Sequence, residues 1–165
     1  VESKRFLYFA TRLKDKAEEQ VIGLALASDE EPFSFVTLNR PVLRGEYDWE
    51  KNFVEAPSTC FKKGKFIMFY GGGTNPQYVG LAISDNGLDW KKLLSGPFIK
   101  PDRIVRVGDI LWEQTDATHP FFFSDDTGDY IFFHSDYDHK GEWPKASAIT
   151  FCEIEWDEFI PRIKK

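Results

Sequence analysis

Cysteine, methionine and histidine are scarce in this chain, at 2, 1 and 3 among 165 residues. Cys60 and Cys152 lie in apolar, strand-like stretches without Cys-x-x-Cys spacing or a Cys/His cluster. That pattern argues against a structural metal site and predicts two buried thiols not bonded to each other. No metal and no cofactor is expected. Long apolar runs are missing too: none approaches the ~20 residues of a membrane-spanning helix, so no membrane partner is expected. Positive charge is in deficit, with a net charge of −6 and no basic stripe, which removes the attraction that dominates nucleic-acid binding. No charged and apolar leader opens the chain at Val1. A cytoplasmic location is the expectation, or a secreted one if a leader has been removed.

Aromatic residues are abundant, with 16 Phe, 6 Tyr and 5 Trp. Flat, bulky side chains suit half-buried strands and also suit a sugar-binding surface. With 42% hydrophobic and 29% charged residues the composition is that of one globular domain spanning residues 1–165. The stretch from Lys14 to Gln20 reads as a solvated loop rather than a helical turn.

A repeat runs along the chain. Phe6-Leu7-Tyr8-Phe9-Ala10, Phe66-Ile67-Met68-Phe69-Tyr70 and Tyr130-Ile131-Phe132-Phe133-His134 are apolar, aromatic-rich runs about sixty residues apart, each read as a buried strand. Gln20-Val21-Ile22-Gly23-Leu24-Ala25 matches Gln77-Tyr78-Val79-Gly80-Leu81-Ala82, and each leads to a Ser-Asp pair, Ser28-Asp29 and Ser84-Asp85. Pro41-Val42-Leu43 echoes Pro97-Phe98-Ile99, and Trp49-Glu50 echoes Trp112-Glu113. Turns fall at Lys63-Gly64-Lys65, Asp85-Asn86-Gly87 and Asp125 to Asp129, where Gly and Asp supply the backbone freedom or side-chain bonds that tight turns need. The period fits a four-stranded antiparallel unit with strands of ~5 to 6 residues. The fold class is therefore all-β: roughly three four-stranded blades of a β-propeller, an incomplete blade at about 5–50, a complete one at about 53–95 and another at about 116–160 ending in the basic tail Arg162 to Lys165.

In a propeller the innermost strand of each blade lines the central channel, so polar residues near its start are candidates for ligand contact. Glu55, in Val54-Glu55-Ala56-Pro57, and Asp116 with His119, in Asp116-Ala117-Thr118-His119-Pro120, fill such places, with Pro57 and Pro120 as landmarks. Read from the residues alone, Glu55 is a strand-end carboxylate bonding neighbouring backbone or an arginine. His119 is either a ligand contact or a side chain packed beside Pro120, and Asp116 either reaches the channel or forms a turn. Arg12 could bind paired hydroxyls or simply form a surface ion pair. Gly71-Gly72-Gly73-Thr74-Asn75 joins two strands rather than a strand and a helix, so it lacks the setting of a phosphate loop. Asn75 and Gln77 are possible sugar contacts.

The ordered set Glu55-Ala56-Pro57, Lys63-Gly64-Lys65, Phe66 to Tyr70 and Pro76-Gln77-Tyr78-Val79-Gly80-Leu81-Ala82-Ile83-Ser84-Asp85-Asn86-Gly87 resembles the five-bladed glycoside hydrolases related to family 43 and family 32, the β-xylosidase, arabinanase and β-fructosidase superfamily. The likeness extends through Ala10-Thr11-Arg12 upstream and His119-Pro120 with Trp143 downstream. It implies glycosidic-bond hydrolysis on a carbohydrate substrate, a plant or microbial glycan, with Glu55 as general acid. A carboxyl in a partly dry channel can hold the proton that a leaving sugar oxygen needs. By the same resemblance His119 contacts a substrate hydroxyl and Asp116 contacts substrate or modulates Glu55.

Such enzymes use a second carboxylate, and usually a third, from the innermost strands of the first two blades. No Asn-Asp-Pro or equivalent precedes Phe6, so the second carboxylate is unassigned. Two expectations follow: further blades, or a second copy of the chain, complete the ring. A non-catalytic carbohydrate-binding propeller is the alternative to an enzyme.

Overall fold

The computed structural model describes residues 4–139 and 142–164, without the side chains of 142–145. The Trp143 side chain and Lys165, both used in the sequence reading, lie outside the described residues. Three antiparallel sheets follow one another along the chain. The first holds β1 (Lys4–Leu13), β2 (Lys16–Ser28) and β3 (Val36–Thr37); the second holds β4 (Val54–Lys62), β5 (Lys65–Gly72), β6 (Tyr78–Ser84) and β7 (Lys91–Lys92). The third is ordered β12-β11-β10-β9-β8, from β8 (Ile104–Val107), β9 (Ile110–Asp125), β10 (Gly128–His139), β11 (Glu142–Asp157) and β12 (Ile160–Ile163). The expected four strands per unit thus hold for the second sheet, while the first has three and the third has five.

Several smaller expectations change. The Lys14–Gln20 loop is instead mostly strand, because β2 starts at Lys16 opposite Leu13. The basic tail starts in strand: Arg162 and Ile163 belong to β12, which pairs with β11, and Arg162 and Lys164 form ion pairs with Asp157 and Glu153. Trp49-Glu50 lies in a 3-10 turn (Asp48–Glu50), whereas Trp112-Glu113 lies within β9, so that echo is not structural. The turn is enforced by Lys51 and Asn52, whose φ angles of 49° and 58° reverse the chain before β4.

The other echoes are structural. Leu43 bridges Ile22 as Ile99 bridges Val79. Leu38 N–H donates to Leu24 O as Leu93 N–H donates to Leu81 O. Ser28 and Ser84 each accept, at Oγ, the amide N–H three residues on. Register corrects one detail. Both hairpins, Lys62 to Lys65 and Asp125 to Gly128, have two-residue loops, so Ile67 opposite Cys60 matches Tyr130 opposite Phe123. The match of Phe66 with Tyr130 is one residue out. Phe66 belongs to the turn end of its hairpin, where Lys63 and Gly64 adopt φ of 48° and 82°. In β1, Phe9 lies opposite Gly23 as Tyr70 lies opposite Gly80. A Cβ at Gly80 would fall 2.2 Å from the Tyr70 ring, so only glycine lets that ring lie over its neighbour.

We call front the face that a sheet turns toward the next sheet along the chain, and back the opposite face. Alternation along β5 divides it between two cores: Met68 and Tyr70, with Ala82, meet Ile22 and Leu24 of the first sheet. Ile67 and Phe69, with Val79 and Leu81, meet Ala117, Ile131, Phe133, Cys152 and Ile154 of the third. A strand buried on both faces reads as a continuous apolar run, as this one does. Cys60 and Cys152 are both unpaired and both belong to this second core. Burial pushes their thiols up to about 12 and about 11.

Ion pairs reinforce both junctions between the sheets. Glu50 is fully buried and pairs with Lys92 at 2.5 Å, while its carboxylate also accepts from the Glu46 and Tyr47 amides and the Tyr70 hydroxyl. At the other junction Lys62 of β4 reaches Asp129 of β10 at 2.8 Å, and Trp156 Nε1 donates to the same carboxylate. Burial alone would raise the Asp129 pKa, but the bonds from Lys62, Ser124 and Trp156 outweigh it and hold the carboxyl below its ordinary value.

Candidate active site

β4 and β9 carry the same irregularity at the same place. In β4 the pairing skips between Glu55, opposite Gly71, and Ser58, opposite Phe69, and Ala56 has φ of 46° before Pro57. In β9 Thr118 lies opposite His134 and Phe121 opposite Phe132, and His119 has φ of 50° before Pro120. A residue before proline is pushed out of the right-handed helical region, and the left-handed alternative costs a non-glycine residue on the order of 1 to 2 kcal/mol. Each bulge places two side chains three residues apart on one face. Glu55 therefore shares the front of the second sheet with Phe69, and Thr118 is its counterpart in the third.

The Glu55 carboxylate is clamped from two sheets. Gln20 Nε2 donates to Oε2 at 2.8 Å and Gln77 Nε2 donates to Oε1 at 2.9 Å. His119 Nε2, from the third sheet, stands 3.6 Å from Oε1, and the Glu55 side chain is 16% exposed. Gly71 makes the space: a Cβ there would lie 2.9 Å from Thr118 Oγ1 and 3.3 Å from Glu55 Cγ. The two glutamines also tie each sheet to the next. Gln20 N–H donates to Asn52 O just before β4; Gln77 O accepts from Ala117 N–H in β9.

The remaining sequence candidates fall into two groups. Asp116 accepts the Gln77 backbone N–H at 2.5 Å, so it orients the residue that holds Glu55, and it does so from within β9 rather than from a turn. Arg12 lies directly across from Gln20, but its Nη1 donates to Ala17 O in the exposed hairpin. Asn75 is exposed, with φ of 51° ahead of a cis bond to Pro76, and borders an open cavity of about 530 Å³ with Tyr78, Asp102 and Gln114. A larger apolar cavity, about 670 Å³, is lined by Val105, Trp112, Tyr137 and Ala148 and touches none of the residues around Glu55.

Three residues escaped the sequence reading as site residues. Gln20 was visible as the repeat partner of Gln77. His134 stands edge-on to His119 with ring centres 6.1 Å apart, and its Nε2 is 3.5 Å from Asp136 Oδ1. Thr118 Oγ1 is buried without a hydrogen-bond partner among the described residues. Both would have followed from the corrected register, which matches His134 with Gly71 and Thr118 with Glu55. Chemically, the arrangement offers one carboxyl held in orientation by two neutral amide donors, with an imidazole beside it and lone pairs left to exchange a proton with a bound oxygen.

No protein-family model matches the chain, and no curated protein sequence does. Solved structures match its shape. A thermostable family-43 glycoside hydrolase superposes with a TM-score of 0.71 at 16% identity, covering 98% of this chain and 54% of that one. An α-L-arabinofuranosidase from Lactobacillus brevis gives 0.70 at 16% identity, covering 95% and 51%. A family-32 β-fructofuranosidase from Bombyx mori gives 0.65 at 17% identity, covering 98% and 34%. The chain thus spans about half the length of the first two and a third of the last. Identity at this level speaks to architecture alone, and the architecture of this chain is the β-propeller fold of the glycoside hydrolases it resembles.

Proposed function

We propose that this chain is the part of a glycoside hydrolase propeller that carries the proton donor, Glu55, for cleavage of a glycosidic bond in a plant or microbial glycan. The observation that carries the reading is the two-sided amide clamp on Glu55 beside a bulge of the innermost strand. A proton donor must meet the leaving oxygen at one angle, and a carboxyl fixed at both oxygens does not swing away from it. His119, with a largely exposed imidazole beside Oε1, is placed to touch a sugar hydroxyl, and Asn75 borders the cavity nearby. Asp116 acts through Gln77.

A second reading is a carbohydrate-binding propeller without hydrolysis. It is favoured by Asp116, the other carboxylate singled out by the sequence, which is engaged by the Gln77 amide rather than held ready as a base or nucleophile.

Glu55→Gln distinguishes the two. On aryl glycosides it should abolish turnover of substrates with poor leaving groups and spare those with good ones, because only the former need protonation. Equal losses on both classes would remove Glu55 from the acid role. Sugar binding without turnover of either class by the complete propeller that contains this chain would establish the second reading.

A further inference from the structure

The two glutamines that clamp Glu55 belong to different sheets, yet both lead back to one turn, Trp49 to Phe53. Gln20 is held through its backbone: its N–H donates to Asn52 O at 3.0 Å, and it bridges Phe53 in parallel. Gln77 ends the loop that leaves β5, and that loop is held from the same turn. Gly73 N–H donates to Phe53 O at 3.1 Å, and Lys51 Nζ donates to Thr74 O at 3.0 Å and to Asn75 O at 3.3 Å. Trp49 stands edge-on to Tyr78, the residue after Gln77, with ring centres 5.8 Å apart, and its Nε1 donates to Ser95 O. The turn is a fixed base for these contacts, because Glu50 in its middle is 0% exposed and binds Tyr70 of β5 and Lys92 of β7.

The backbone of Gln77 is also tied the other way, to the third sheet, through Asp116 Oδ1 and the Ala117 N–H. Left to those two bonds, Gln77 follows the third sheet while Gln20 follows the turn. An ammonium carries donors enough for two neighbouring carbonyls at once, and among the described residues no other hydrogen bond reaches Thr74 or Asn75. We propose that Lys51 is a positioning residue: by tying the Gln77 loop to the turn that also holds Gln20, it sets the span between the two amides across the Glu55 carboxyl. Lys51 is itself exposed, so its tie can be cut without opening a core. Its effect on catalysis rests on Glu55 being the proton donor; its hold on the clamp does not.

Two measurements on the complete propeller that contains this chain test the assignment. The first follows the side-chain amide signals of Gln20 and Gln77 by NMR with labelled glutamine. Lys51→Met should shift the Gln77 signals and leave those of Gln20 in place, and Lys51→Arg, which keeps a donor for each carbonyl, should return them to the parent position. Gln77 signals that stay still in Lys51→Met overturn the proposal whether or not the protein cleaves sugars. The second measures turnover of a glycoside with a poor leaving group. Lys51→Met should lower kcat by about threefold with little change in KM. That loss should persist alongside Gln20→Leu and largely vanish alongside Gln77→Leu, because two changes that act through one contact do not add. Losses that add in full with both variants mean a general loosening and overturn the positioning role. A parent protein that binds sugar without cleaving it defeats the proton-donor reading alone, and the amide signals then decide whether Lys51 sets the clamp.

Discussion

Gln20 and Gln77 occupy the same position in successive sheets and donate to opposite oxygens of one carboxylate, that of Glu55. A repeat has here supplied two identical side chains to a single group that is not itself repeated, since the counterpart of Glu55 in the third sheet is Thr118.

Removing either amide should therefore loosen the carboxyl without moving the backbone that carries it. A side-chain hydrogen bond is worth roughly 0.5 to 1.5 kcal/mol net. If the protein turns over glycosides, Gln20→Leu and Gln77→Leu should each lower kcat on the order of tenfold, with a smaller change in KM. Steady-state kinetics on a poor-leaving-group substrate provides the check, and a change confined to KM would mean that the glutamines bind substrate rather than orient Glu55.

The buried pair Glu50–Lys92 makes a sharper stability prediction. Lys92→Met leaves the Glu50 carboxylate buried with neutral donors only and should cost about 3 to 5 kcal/mol. Lys92→Met combined with Glu50→Leu should cost less than Lys92→Met alone, because an apolar replacement of both partners strands no charge. Urea unfolding of the two variants beside the parent measures the difference; a double variant that loses as much as Lys92→Met or more would mean that no stranded charge is responsible.

Strong acid should weaken the junction between the second and third sheets. Asp129 has its folded pKa held below the ordinary value of 3.8, so its contribution is present above that value and is lost as pH falls through the depressed one. The stability gap between the parent and Asp129→Asn should be constant from neutrality to mild acid and should close below about pH 4. A gap that persists undiminished at the acid end would assign the loss to packing against Trp156 instead of to charge.

The fold was legible in the sequence because its repeat is built from side chains that packing requires: apolar runs for strands between sheets, and glycines where an aromatic ring crosses the neighbouring strand. The exact register was not, since Phe66 to Tyr70 and Tyr130 to His134 look alike as runs while the hairpin turns decide which residues match. The resemblance of Trp49-Glu50 to Trp112-Glu113 misled because composition does not reveal the reversal at Lys51 and Asn52. Glu55 stood out through its Glu-Ala-Pro triplet. Gln20 did not, since a glutamine within a strand has no chemistry of its own until folding brings it across to another sheet.

The three side chains around the Glu55 carboxylate come from three different sheets: Gln20 from the first, Gln77 from the second and His119 from the third. Each sheet is stiff within itself and joined to its neighbours mainly by non-directional packing, so thermal motion tilts whole sheets more readily than it bends them. Small tilts add at the point where the three meet. The geometry around this one carboxyl is thus a sensitive gauge of sheet alignment, and warming should blur it while the strands themselves remain intact.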